Sequence, residues 1–426
     1  MSKFIEYSNL PYSVPRVYIS DPGEFLSGLP NCVDKKLFIG DFQYLEIWSM
    51  VAIAALSRDE SNNRIILDFD YSTVSKFAYA VGLKDVVEGN ATNNYREEGR
   101  TVKIERFVDF KDLENVSKDI SKLLISDDMM DDDNYIDAED TRRTIYYVMV
   151  ELMRNVVQHS YDKLGGVIAA QSMNVGGYHD NPCIQIAVAD SGIGIYRSLL
   201  DMHRDIVSPE VALERSILPH YSGAFPSWKK GGDQNAGLGL FFASQMVKIL
   251  GGRMLISSRG ASLTIQGDIE GFGNNDIKLH DWDYPGTIVV FEIPKRSVGD
   301  YVELIKIIQS KAQSMYSDMK PVNFLRYDIS HDNIWEFAVV YAAEDTSIAE
   351  KYANDNMIPR LLKGENICLN FMNIDIRTQS FLHALLFNVI KIAYANNRSI
   401  YIKSASDPVK DGLRFLENYA LKKDDK

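Results

Sequence analysis

Between Thr141 and Ser160 the chain reads TRRTIYYVMVELMRNVVQHS. Glu151, Asn155 and His159 recur at every fourth residue, so a helix here stacks them one turn above the next on a polar stripe. Ile145, Met149, Leu152 and Val156 fall on an adjoining apolar stripe, the face by which such a helix is held. A carboxylate can orient or deprotonate an attacking water or hydroxyl. A carboxamide oxygen one turn away is a hard ligand suited to magnesium. The same spacing also describes polar side chains that face water, so it needs company before it means a site.

That company follows. CIQIAVAD, Cys183 to Asp190, has the apolar continuity of a strand and runs into DSGIGI, with Gly192 and Gly194 just past its end. GLGLFFASQMVKILGG opens on Gly237 and Gly239 and continues as an apolar-periodic helix. GTIVVFEIP is a further strand, with Gly286 and Thr287 at its start. A helix with E-x-x-x-N, a strand with D-x-G-x-G, a loop with G-L-G-L and a strand with G-T, in that order, resemble the nucleotide-binding domain of the GHKL superfamily. Gyrase-type ATPases, histidine kinases and the MutL repair proteins belong to it. The resemblance covers roughly Asp137 to Lys295, well under half of the chain.

The resemblance implies a two-layer α/β sandwich with a mixed sheet, the Bergerat-type fold, and ATP and Mg²⁺ as cofactors. It makes Glu151 the catalytic base and Asn155 the magnesium ligand that bridges the phosphates. Asp190 at its strand end accepts the exocyclic amine of adenine, which guanine's equivalent edge does not offer. Gly192 and Gly194 then remove side chains where base and ribose pack closely. Thr287 hydrogen-bonds the base directly or through water. The polar stretch from Ser208 to Gln234 matches the ATP lid, and long irregular segments in compact domains are often functional. Gly237, Leu238, Gly239 and Leu240 bring backbone N–H groups and a helix N-terminus to the triphosphate. Lys229 and Lys230 either neutralise phosphate on lid closure or are two solvated lysines. The chain has no G-x-x-x-x-G-K-[ST], so this is not a P-loop.

The elements that must position these residues divide the chain of 426 residues into four expected parts. Residues 1–126 read strand, helix, strand, helix, an α/β pattern in which IILDF and VSKFAYAVGL have a STAS-like strand–loop–helix form. Residues 127–139 are an acidic linker. Residues 140–296 hold the nucleotide motifs, including a hairpin around Arg259–Gly260. Residues 297–426 return to an α/β alternation, and TSIAEKYANDNMIPRLL through ICLNFMNIDIRTQSFLHALL resembles the STAS-like regulatory domains found beside GHKL kinases. That family usually has L-D-F at the strand, where this chain has Leu369, Asn370 and Phe371.

A net charge of −13 argues against a general nucleic-acid footprint. Cys32, Cys183 and Cys368 are far apart in apolar settings and read as reduced core residues. No run approaches a membrane span and the N-terminus lacks a signal-peptide pattern, so the expected location is cytoplasmic.

Two classes of function fit. One is an enzyme, an ATPase or an anti-sigma-type kinase that phosphorylates a protein serine or threonine in a partner-switching system. STAS domains of such systems carry an acceptor hydroxyl near a helix start, where Thr378 and Ser380 stand as candidate phosphoacceptors. A helix cap is the plainer reading of both. The alternative is an ATP-gated switch with little or no turnover, which captures or releases an unidentified regulatory protein, with homodimers a further option. An ordinary sensor kinase fits less well. Gln158 stands where those enzymes often have a basic residue, and no helical hairpin with a phosphoacceptor histidine precedes the domain. His159 is read as structural.

Overall fold

The computed structural model describes residues 15–32, 35–57, 65–89, 101–124, 138–173, 182–200, 203, 206–219, 239–267, 276–294, 301–314, 324–327, 334–339, 345–374 and 377–421. The chain is an α/β protein and divides into two compact units. One comprises residues 1–217 and 243–298, the other 218–242 and 299–426.

In the first unit, β1 (Arg16–Val17), β2 (Lys36–Phe38), β3 (Tyr44–Leu45) and β4 (Ile66–Asp68) form two parallel pairs, β1 with β3 and β2 with β4. Between them run α1 (Gly23–Gly28) and α2 (Ile47–Ser57), followed by α3 (Thr73–Ala80) and α4 (Leu83–Glu88). The sequence of α2, IWSMVAIAALS, is apolar round its whole circumference, and every residue of it is buried. Such a helix cannot sit at the surface of a small module. It lies on the large sheet, against the two strands that carry Val167, Ala169, Ala187 and Ala189.

That sheet comprises β5 (Thr101–Phe107), β6 (Gly166–Met173), β7 (Cys183–Asp190), β8 (Arg253–Ser258), β9 (Ala261–Gln266), β10 (Asp276–His280) and β11 (Thr287–Pro294). Their spatial order is β10-β9-β8-β11-β7-β6-β5. Every described pairing is antiparallel, where a mixed sheet was expected. The cause is the place of β11. It enters between β7 and β8, which run in the same direction but never touch, and is antiparallel to both.

The other face of β6 and β7 carries Ile168, Ala170, Ile186 and Val188, which are buried as well. Here α5 (Phe110–Leu124) and α6 (Ala138–His159) pack on each other and on β5, β6 and β7. With helices on both sides, all eight residues of β7 are buried. The expected boundary at residue 126 is therefore not a boundary of this fold. β5 is an edge strand of the same sheet, and α2 shares its core. The acidic segment 127–137 lies outside the described residues, and α6 begins at Ala138. From β7 the chain passes through α7 (Ile195–Leu200), α8 (Pro209–Ser216) and α9 (Gly239–Leu250) to β8.

The second unit has its own sheet of four parallel strands, ordered β12-β15-β14-β13. They are β12 (Arg326–Tyr327), β13 (Trp335–Ala338), β14 (Ile367–Asn370) and β15 (Ile400–Lys403). Parallel neighbours need crossovers. These are α11 (Thr346–Tyr352) with a π-helical turn and α12 (Ile358–Leu362) before β14, and α13 (Gln379–Ala395) before β15. α10 (Tyr301–Ser314) precedes the sheet and α14 (Asp407–Ala420) follows it. Its core joins Phe337, Leu369 and Ile402 to Leu382, Leu386 and Leu413. No described helix is long and apolar enough to cross a membrane.

Candidate functional site

Register alone aligns three polar side chains. Asp190 ends β7, Thr287 begins β11 directly opposite it, and Ser258 ends β8 opposite Thr287. Directly paired residues point to the same face of a sheet, so the three form a row across neighbouring strands. The Ser258 and Thr287 hydroxyls are 3.1 Å apart, and Ser258 Oγ also donates to Gly286 O at 3.2 Å. Ser258 Oγ accepts the Ile195 N–H at 2.9 Å, which fastens the start of α7 to the row.

The turn after Asp190 is held from three sides. Gly192 N–H donates to Asp190 Oδ1 at 2.8 Å. Ser191 donates through both N–H and Oγ to Asp162 Oδ2, at 2.9 and 2.8 Å. Ile193 N–H donates to Ser160 O, just past the end of α6, at 2.8 Å. Arg259 Nε donates to Gly192 O at 2.7 Å from the other side. At Gly192 there is no room for a side chain, nor is there at Gly286. A Cβ on Gly192 would stand 2.1 Å from Ser160 O, and one on Gly286 2.0 Å from Asp190 O. Gly194 has φ +81°, a conformation natural to glycine.

Asp190 is buried, and burial pushes its carboxyl up to about 7. The Gly192 and Thr287 amides and the Arg259 charge oppose the rise, while Asp162 adds to it. A carboxylate has about four lone-pair sites. Two backbone amides therefore leave capacity for a further donor such as an amine.

The end of α6 abuts this turn, so the helix residues singled out by spacing lie behind it. Asn155 is about 7 Å and Glu151 about 13 Å back from Ser160 along the helix axis. Asn155 is half-buried. Glu151 is buried and accepts a hydrogen bond from the fully buried Arg154, Nη1 to Oε1, at 2.8 Å. His159 closes the helix, and burial brings its imidazole down to about 4, so it is neutral at pH 7. Among the described residues no group of three or more His, Cys, Asp or Glu could hold a metal. Magnesium at this place would be held by the Asn155 amide oxygen together with phosphate and water oxygens, the usual manner for this hard cation.

The remaining expected residues are placed as follows. Gly239 and Leu240 are the first two residues of α9. Lys229, Lys230, Gly237 and Leu238 lie outside the described residues, as does most of the expected lid. Thr378 and Ser380 stand at the start of α13 and are fully buried. Thr378 Oγ1 accepts the Phe381 N–H at 3.3 Å as the helix cap, and the apolar face of α13 draws both residues into the core.

Four contributing residues escaped the spacing argument: Arg154, Asp162, Ser258 and Arg259. Arg154 could have been found as the i+3 partner of Glu151. The other three act across 29 to 67 residues of chain, and no local pattern announces them. Among the described residues, clefts also open elsewhere in the first unit. One of about 440 Å³ is lined by Asp68, Phe69, Tyr79, Lys84 and Glu88, and one of about 410 Å³ by Arg253, Lys278, His280 and Trp282. Their charged groups are already partnered, Lys84 with Glu88, Asp68 with Lys36 and Lys278 with Asp276. The row at Asp190 has the more specific chemistry. No protein-family model matches the chain, and no curated protein matches it.

Proposed function

We propose that the first unit binds magnesium–ATP in the manner of the GHKL superfamily, with the base at Asp190 and Thr287 and the phosphates toward Asn155. The observation that carries this reading is buried Asp190, paired with Thr287, beside a turn whose Gly192 has no room for a side chain and which docks on the end of the helix that bears Asn155 and Glu151. Asp190 accepts the exocyclic amine, Gly192 and Gly286 let the backbone close tightly around that carboxylate, and Asn155 offers its oxygen to the cation. Bound magnesium supplies charge neutralisation on the phosphates. Glu151 orients or deprotonates the attacking water or protein hydroxyl. The four-stranded parallel unit is read as a STAS-like regulatory domain whose partner is another protein of a signalling or partner-switching system.

The Glu151–Arg154 pair favours a second reading. A base whose oxygen is occupied by a buried guanidinium is restrained from taking a proton, which suits an ATP-gated switch with slow turnover. The experiment that separates these readings measures ATP binding and hydrolysis on wild type, Asn155→Ala and Glu151→Gln. Magnesium-dependent affinity should fall in Asn155→Ala. Glu151→Gln should bind as wild type does. If turnover is already negligible in wild type while binding persists, the switch reading stands. A wild-type protein that ignores ATP at millimolar concentration sinks both.

A further inference from the structure

Arg259 and Gly260 are the two residues that join β8 to β9, with Ser258 paired to Ala261 across the turn. Both have positive φ, +23° at Arg259 and +96° at Gly260. Two-residue hairpin loops of this kind favour Asn-Gly, because an ordinary side chain in this region crowds its own backbone. Strain kept at one residue points to a task for it. The side chain supplies one. Arg259 Nε donates to Gly192 O at 2.7 Å, and Nη2 reaches Ser191 O at 3.4 Å. The turn itself is anchored to the segment before β11. Arg259 N–H donates to Tyr284 O at 3.0 Å, and Gly260 N–H to Asp283 Oδ1 at 2.7 Å.

We propose that Arg259 is a positioning residue of the purine site, a clamp that fixes the two carbonyls after Asp190 and keeps a positive charge beside that carboxylate. The proposal rests on the nucleotide reading above. A planar fork suits two carbonyls in a way that a single ammonium does not. The charge has a second effect. Burial and Asp162 favour the neutral acid at position 190, while Arg259 and the amides of Gly192 and Thr287 favour the anion. Only the anion can accept from an amine at every oxygen lone pair. Losing the guanidinium therefore both loosens the turn and weakens the acceptor.

The test uses the full chain as wild type, Arg259→Asn and Arg259→Lys. Each is titrated with magnesium–ATP at pH 6, 7 and 8, and the thermal midpoint is recorded without nucleotide. Asparagine suits the turn, so Arg259→Asn should match or exceed the wild-type midpoint. It should nevertheless bind ATP roughly tenfold more weakly, and its binding should develop at higher pH. Arg259→Lys should restore the pH profile but not the full affinity. A residue that merely supported the fold would lose midpoint and affinity together, and that result overturns the proposal. So does an Arg259→Asn variant with wild-type affinity and pH profile. If wild type itself fails to bind ATP, the nucleotide reading falls and the proposal with it. An indifferent variant of a binding wild type removes the Arg259 assignment alone.

Discussion

Arg154 donates from Nη1 to Glu151 Oε1 at 2.8 Å, and both side chains are cut off from water. Removing one partner of a buried pair leaves the other charge uncompensated, at a cost of about 3–5 kcal/mol, whereas replacing both with apolar groups is often near neutral. Arg154→Ala should accordingly lower the unfolding free energy by about 3–5 kcal/mol. The double variant Glu151→Met with Arg154→Met should recover most of that loss. Denaturant unfolding of the three proteins checks both. Equal stability of Arg154→Ala and wild type would show that the pair does not hold α6.

Asp190 should make stability and ATP binding respond to pH in opposite directions. Its carboxyl lies near 7 in the fold against 3.8 ordinarily, because burial disfavours the anion. A raised value means that the folded state holds its proton more firmly than the unfolded chain. That stabilisation is complete below about pH 4 and is lost as the pH climbs through about 7. Relative to Asp190→Asn, wild type should lose on the order of 4 kcal/mol between pH 4 and pH 8. ATP affinity should rise over pH 6 to 8 as the acceptor ionises. Unfolding curves and ATP titrations across this range decide the matter, and parallel slopes would contradict it.

Much of the site's framework was legible because its signals are local. The period of α6, the apolar runs of β7 and β11, and the hairpin at Arg259–Gly260 all lie within short windows. The N-terminal third was harder. β5 alternates with Val102, Ile104 and Phe107 buried, yet its partner β6 begins some sixty residues later, past two helices. Short windows hold no record of such pairing. The apolar circumference of α2 fits its deep burial, but nothing local says which sheet covers it. Asp162 and Arg259 illustrate the same limit at the site. Each is unremarkable in sequence and acquires its task only when the turn after Asp190 arrives beside it.

Gly192 and Gly286 test whether that turn tolerates any enlargement. The Cβ of an alanine would meet Ser160 O at 2.1 Å or Asp190 O at 2.0 Å, and both obstacles are backbone atoms that cannot swing aside. Gly192→Ala and Gly286→Ala should each destabilise the protein by about 1–3 kcal/mol or more and weaken ATP binding. Gly89 provides the control, since its φ is +75° but nothing lies within 4 Å of an added Cβ. Gly89→Ala should cost about 1 kcal/mol of conformational strain and leave ATP affinity unchanged. Thermal midpoints with and without ATP distinguish the cases, and a Gly192→Ala protein that binds normally would remove the turn from the site.

Thr378 and Ser380 bear on whether the second unit receives phosphate. Both are wholly buried, and the Thr378 hydroxyl is engaged in capping α13. A phosphoryl donor reaches neither oxygen unless the first turn of α13 opens. Folded protein incubated with magnesium–ATP should therefore carry no phosphate at either position by mass spectrometry. Thr378→Ala should cost about 1 kcal/mol through loss of the cap. Ser380→Asp should be far worse, because an unpaired carboxylate in an apolar core is costly to bury. Phosphate found at Ser380 in protein that still unfolds cooperatively at the wild-type midpoint would mean that α13 opens at little cost.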